Sequence, residues 1–156
     1  MSDAPRRDLL GWLTEMKAPA AAILIRLVVG SVFLSEGIQK FLFPAEIGAG
    51  RFAKIGLPSP EVLAPFVGAV EISCGALVLL GLATRLAAAP LIGVMLVAIA
   101  TTKIPILVNR GFWAMAHESR TDWSMLLGAL FLLLVGAGPL SLDARLARRE
   151  ASQRPL

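Results

Sequence analysis

Six ionisable residues lie inside or at the edges of long apolar runs: Arg26, Glu36, Lys40, Glu71, Lys103 and Asp122. Glu71 carries the most information. It sits near the middle of an apolar run from Val62 to Leu82, long enough to cross a bilayer. A carboxylate at that depth is costly in hydrocarbon, so it should be paired, protonated or facing a watered cavity. An acid held beside a cation can exchange a proton or hydrogen-bond a bound group. The set therefore offers binding or proton handling, with Glu71, Lys40, Arg26, Glu36, Lys103 and Asp122 as the candidate residues.

Other chemistries are excluded by composition. The single cysteine, Cys74, forms no intrachain disulfide, and the single histidine, His117, excludes bis-histidine haem ligation. One cysteine cannot hold a four-cysteine iron–sulfur cluster, and no metal site of the usual Cys/His kind can be assembled. Any redox carrier must be a diffusible molecule or a partner subunit. The net charge of +4 is not a nucleic-acid signal, because no basic stretch is interleaved with aromatic residues. Cys74 reads as a small packed apolar residue and His117 as an exposed loop residue.

The elements that must position the candidates are apolar helices. The 156 residues are 56% hydrophobic and 17% charged, against about 45–50% and about 25% in soluble domains. Four apolar segments stand out, at about 20–41, 62–82, 86–108 and 123–140. Backbone groups in lipid must be satisfied internally, so each is expected to be a helix. The fold class expected is all-α, an antiparallel four-transmembrane-helix bundle forming a single membrane domain over 1–156. The link Ala83-Thr84-Arg85 forces a hairpin between the second and third segments. A short interfacial helix is expected within Ala45–Ile55, between the first two, and Ser59-Pro60 reads as an N-cap followed by proline at the first helical position. The stretch Asn109–Asp122 is expected to be a loop, with Trp113 and Trp123 in an interfacial aromatic belt.

The N-terminus lacks a short basic and apolar leader with a cleavage site and is expected to be retained. Arg6, Arg7, Lys17, Arg85, Arg145, Arg148, Arg149 and Arg154 fall on one side of the membrane, and Arg51, Lys54, Arg110 and Arg120 on the other. This bias places both tails, 1–19 and 141–156, in the cytoplasm; the location expected is a bacterial inner membrane. The last residues, ASQRPL, are expected to fray.

Spacing assigns faces. Arg26, Gly30, Phe33, Gly37 and Lys40 follow one another at intervals of four, three, four and three, the spacing of one packed helix face. Two glycines there let a neighbouring backbone approach. Glu36 and Lys40 form a favourable i,i+4 pair. Gly68, Glu71 and Gly75 repeat the pattern in the second segment. Glu71 lies roughly 13 Å below the outer end of its helix at 1.5 Å per residue. Glu36, Lys40, Lys103 and Asp122 gather with it in the outer half, and Lys40, Lys103 and Asp122 are shallow enough to snorkel instead. Arg26 lies in the inner half, within reach of Glu71 or Asp143, and is read first as a structural salt bridge.

Several stretches in this order resemble the DoxX family of small four-helix membrane proteins. They are RLVVGSVFLSEGIQKFLFP, GLPSP, GAVEISCGALVLLGLATRLAA and GAGPLSLD, together spanning Arg26 to Asp143. The resemblance carries over Arg26, Gly37, Lys40, Glu71 and Ser141-Leu142-Asp143. Asp122 stands where such proteins often place an acid at the head of the fourth helix, but the aspartate followed by Trp123 departs from the pattern. The family takes its name from a terminal-oxidase and thiosulfate:quinone oxidoreductase system, so the resemblance implies a redox-linked membrane role.

The function expected is that of a subunit of a membrane oxidoreductase system, quinone- or thiol-linked, with a buried polar pocket around Glu71. Quinone is the candidate cofactor. The lipid bilayer and a partner subunit or second copy are the expected partners. Catalysis is not assigned to the chain itself, since no residue here transfers electrons unaided. The alternative is a non-catalytic anchor or assembly factor. A small proton-coupled transporter ranks behind both, because the chain is short and shows no inverted repeat.

Overall fold

The structure, a computed structural model, describes residues 19–152. Residues 1–18 and 153–156, with Arg6, Arg7, Lys17 and Arg154 of the charge count, lie outside the described residues. Every regular element among the described residues is helical.

Helix α1 spans Ala22–Leu42 and stops at Phe43, the residue before Pro44, whose ring disfavours a helical neighbour. A six-residue helix α2, Ala49–Lys54, follows and buries Phe52. It occupies only the second half of the expected Ala45–Ile55. Helix α3, Pro60–Leu80, begins with proline at its first turn, as expected. Ser59 makes no side-chain cap bond, because its backbone is left-handed with φ of 46°. Its carbonyl instead accepts from the amides of Val62 and Leu63.

Gly81 ends α3 with φ of 66°, a left-handed conformation that glycine adopts without a Cβ penalty. The turn into α4, Thr84–Ala98, is therefore Gly81-Leu82-Ala83, and Thr84 and Arg85 already belong to the helix. A π-helical turn, Ile99–Lys103, then leads into α5, Ile104–Arg110. Pro105 has no amide hydrogen, and its ring crowds the carbonyl four residues back, so the regular ladder cannot continue through this stretch. The Thr101 and Thr102 hydroxyls donate back to the carbonyls of Val97 and Ala98.

The expected loop 109–122 is largely helical, as α6, Phe112–Glu118, and the start of α7, Arg120–Val135. The expected fourth span, 123–140, is displaced. Gly136 and Gly138 adopt φ of 90° and 80°, and Pro139 follows, so helix is lost beyond Val135. Helix α8, Leu142–Ser152, makes much of the C-terminal tail helical.

Among the described residues, three helical stretches are long and apolar enough to cross a membrane: Ala22–Leu42, Pro60–Leu80 and Thr84–Arg110. At 16 residues α7 falls short of the roughly 20 that a span needs. Large apolar side chains point outward along these stretches, among them Leu24, Phe66, Leu86 and Leu96.

Helices α1 and α3 pack backbone to backbone. A Cβ at Gly37 would come within 2.7 Å of the Gly68 carbonyl, and one at Gly30 within 2.9 Å of the Gly75 carbonyl. Gly30 and Gly37 thus meet Gly75 and Gly68 in reverse order. The predicted faces hold: Arg26, Gly30, Phe33 and Gly37 are buried on α1, and Gly68, Glu71 and Gly75 on α3. Helices α4 and α7 form a second closely packed pair, and Val29, Val78, Leu91, Ala129 and Leu132 fill the core between the pairs.

Candidate functional site

Five of the six candidates meet around one cavity of about 610 Å³ between the helix pairs. On the α1–α3 wall, Lys40 Nζ donates to Glu71 Oε2 at 2.6 Å, with side chains only 8% and 5% exposed. On the opposite wall, Lys103 Nζ lies 3.1 Å from Asp122 Oδ2. Lys103 comes from the π-helical turn and Asp122 from the first turn of α7. Glu36, exposed on α1, completes the five candidates that line the space.

Two pairings differ from expectation. Lys40 bonds Glu71 and not Glu36, because a buried carboxylate on the facing helix competes with an exposed one on its own. Arg26 reaches neither Glu71 nor the Asp143 carboxylate. Its guanidinium donates to four backbone carbonyls: Val78 at 2.9 Å, Leu79 at 2.6 Å, Leu140 at 2.6 Å and Ala137 at 3.3 Å. At the end of α3 and in the irregular chain after α7 the regular ladder runs out; the Val78 carbonyl also accepts from the Gly81 amide, and the guanidinium fork adds its own bonds there. Arg26 therefore lies apart from the cavity, at the end of the molecule where three segments converge. Asp143 takes a different partner there, accepting from the amides of Ala83 and Thr84 at 2.8 and 3.3 Å. Arg85, counted above as a tail-side surface charge, is 3% exposed and donates to the Leu134 carbonyl.

The polar side chains fasten the molecule unevenly. At the Arg26 end they cross from one helix pair to the chain beyond the other. At the Glu71 end each lysine–carboxylate pair closes within its own wall, and the cavity lies between them.

Sequence reasoning missed two charged lining residues. Arg51 reaches the cavity from α2, and Glu118 from the end of α6. Neither makes an ion pair or side-chain hydrogen bond among the described residues. Arg51 carried a usable signal, a cation in a short amphipathic stretch. Glu118 carried none, since its stretch reads as loop. The Thr101 and Thr102 side of the wall depends on the π-helical turn, which no periodicity marks. His117 is exposed and contacts Arg120 Nη1 at 3.1 Å, and no cluster of metal-ligating side chains occurs among the described residues.

Chemically, a carboxylate and an ammonium in hydrogen-bond contact can pass a proton between them or to a bound group. Most of the remaining lining is apolar, with Val32, Phe33, Val67, Val94, Met95 and Met125 among its residues. A mostly apolar cavity of this size with a few convergent polar groups has the character of a small-molecule site.

The family model described as DoxX matches residues 21–104, a stretch that holds Arg26, Glu36, Lys40, Glu71 and Lys103. The chain is also 53% identical over 143 residues to an uncharacterized membrane protein of Mycobacterium tuberculosis, Rv3486, covering 88% of each chain. No solved structure matches it. With more than half of its length under the family model and a relative this similar along nearly all of it, the chain is an integral membrane protein that belongs to the DoxX family.

Proposed function

We propose that the chain is the membrane subunit of an oxidoreductase system and that the cavity beside Glu71 receives a quinone or similar lipid-soluble carrier. Helices α1, α3 and α4–α5, with α7 and the buried irregular stretch 136–138 after it completing the fourth crossing, form an antiparallel four-span bundle in a bacterial inner membrane, with both tails on the cytoplasmic side. The protein forms a single domain, and α2 lies at the opposite interface. A partner subunit supplies the electrons.

One observation carries this proposal: two lysine–carboxylate pairs, Lys40–Glu71 and Lys103–Asp122, line one cavity of about 610 Å³. A purely structural ion pair needs no space beside it. Ligand sites commonly run from about 300 to 1,000 Å³, apolar with a few polar groups that fix orientation. A quinone has an apolar body and two carbonyl oxygens, each able to accept from a lysine ammonium. Glu71 is the group placed to exchange the proton that accompanies reduction.

The test is purification from native membranes with extraction of bound small molecules, alongside a coupled redox assay of Glu71→Gln. A co-purifying quinone and a selective loss of turnover at normal protein yield are expected. An empty cavity together with unchanged turnover would contradict the proposal. A drop in yield alone would favour an assembly role.

A further inference from the structure

The cavity has a glycine in its lining. Gly93 lines it, is exposed, and would place a Cβ with no atom within 4 Å. Every other glycine of α1, α3 and α4 is different: a Cβ at Gly30, Gly37, Gly68 or Gly75 meets an atom at 2.6–2.8 Å, or backbone within 3.0 Å. Close packing therefore explains those four glycines and does not explain Gly93. Its neighbour one turn along, Val97, also lines the cavity and is 51% exposed.

The depth of this gap follows from the hairpin. Glu71 lies nine residues before Leu80, and Gly93 lies nine residues after Thr84. Both are roughly 13 Å from the turn at 1.5 Å per residue, so they stand at one level. In a hydrocarbon layer about 30 Å thick, that level is close to the middle. An opening there faces acyl chains.

We propose that Gly93 forms a lateral window through which a neutral, lipid-soluble molecule passes from the bilayer core to the Lys40–Glu71 pair. The ligand class is an apolar body carrying an uncharged hydrogen-bonding oxygen. A charged head would not cross the acyl region at this depth. The oxygen meets the Lys40 ammonium, and the body lies against Val32, Phe33, Val94 and Met95. Water-soluble ions reach the charged rim at Arg51, Glu118 and Lys103 but are not the occupants of the Glu71 level. The inference rests on the proposed binding role of the cavity and not on redox chemistry.

A glycine with open space above it makes the test clean. Gly93→Leu adds bulk from a Cβ that meets no atom within 4 Å, and Gly93→Ala adds only that Cβ. The probes are a 4-alkylbenzophenone, a neutral ketone that photolabels C–H bonds, and a membrane-impermeant benzophenone sulfonate, each with full-length protein in liposomes. Labelling is read by mass spectrometry on peptides carrying Met95 and Met125, both of which line the cavity. The alkyl ketone should label these peptides in the wild type and in Gly93→Ala. In Gly93→Leu the yield should fall by about tenfold or more, because the filled window excludes the probe. The sulfonate should leave them unlabelled. Equal labelling by the sulfonate, or unchanged labelling in Gly93→Leu, would overturn the window. If neither probe labels these peptides, both the window and the binding role of the cavity fail. If a quinone co-purifies while Gly93→Leu has no effect, only the window fails.

Discussion

Lys40 Nζ and Glu71 Oε2 lie 2.6 Å apart, on helices that approach closely enough for Gly37 to touch Gly68. The pair exists because the glycines remove side chains that would otherwise hold the helices apart. Removing one member leaves the other buried and uncompensated, at a cost of about 3–5 kcal/mol, whereas replacing both by apolar groups is often near neutral. Glu71→Leu alone and Lys40→Met alone should each lower the melting temperature in detergent. The double variant should recover most of the loss. Additive losses would show that the two groups do not depend on each other.

The glycine contacts make a separate prediction. Gly37→Ala puts a methyl group 2.7 Å from the Gly68 carbonyl and 2.9 Å from the Ile72 amide nitrogen, both backbone atoms that cannot turn aside. Overpacking of this kind costs about 1–3 kcal/mol. Gly93→Ala is the matched control. It meets nothing, and by helix propensity it should stabilise by up to about 1 kcal/mol. Thermal unfolding of the two variants should therefore shift in opposite directions.

Arg26 should not tolerate the conservative change to lysine. Its fork reaches carbonyls of Val78 and Leu79 on α3 and of Ala137 and Leu140 beyond α7, and an ammonium cannot span that set. Hydrogen bonds from charged groups contribute about 1.5–3 kcal/mol each, so losing even one leaves a measurable deficit. Arg26→Lys should lower folded yield and speed hydrogen exchange near Gly81. It should leave ligand affinity per folded molecule unchanged, since Arg26 does not line the cavity. Reduced affinity at normal stability would place Arg26 in the site after all.

Asp143 holds the α3–α4 turn by accepting from the Ala83 and Thr84 amides. Asp143→Ala should cost about 1 kcal/mol, the usual loss when a capping side chain is removed. Amide exchange at Ala83 and Thr84 should rise while exchange in α1 stays the same. Unchanged exchange at both amides would count against the capping role.

The periodic parts of this architecture were legible in the sequence. The spacing of Arg26, Gly30, Phe33 and Gly37, and of Gly68, Glu71 and Gly75, identified two buried faces that do meet, because a helical period of 3.6 fixes which residues share a side. Partner choice was not legible. Lys40 has a sequence neighbour, Glu36, and a spatial neighbour, Glu71, and burial decided for the second. Arg26 reads as a partner for carboxylates, but backbone carbonyls gathered at helix ends are invisible in a residue list and lie nearer. The end of the fourth apolar segment was misplaced because Gly136 and Gly138 break helix inside an apolar run. The π-helical turn that brings Lys103 to Asp122 leaves only Pro105 as its trace.

The central claim is that the Lys40–Glu71 pair lines a binding cavity and is not merely a fastening between α1 and α3. Equilibrium binding of a decyl-benzoquinone to protein in nanodiscs tests it most directly, comparing the wild type with the doubly neutral Lys40→Met, Glu71→Leu variant. The wild type should bind saturably, and the double variant, still folded, should bind about tenfold more weakly or worse, the equivalent of 1.4 kcal/mol or more. Equal affinity in the two proteins, or no saturable binding to the wild type, would contradict the account.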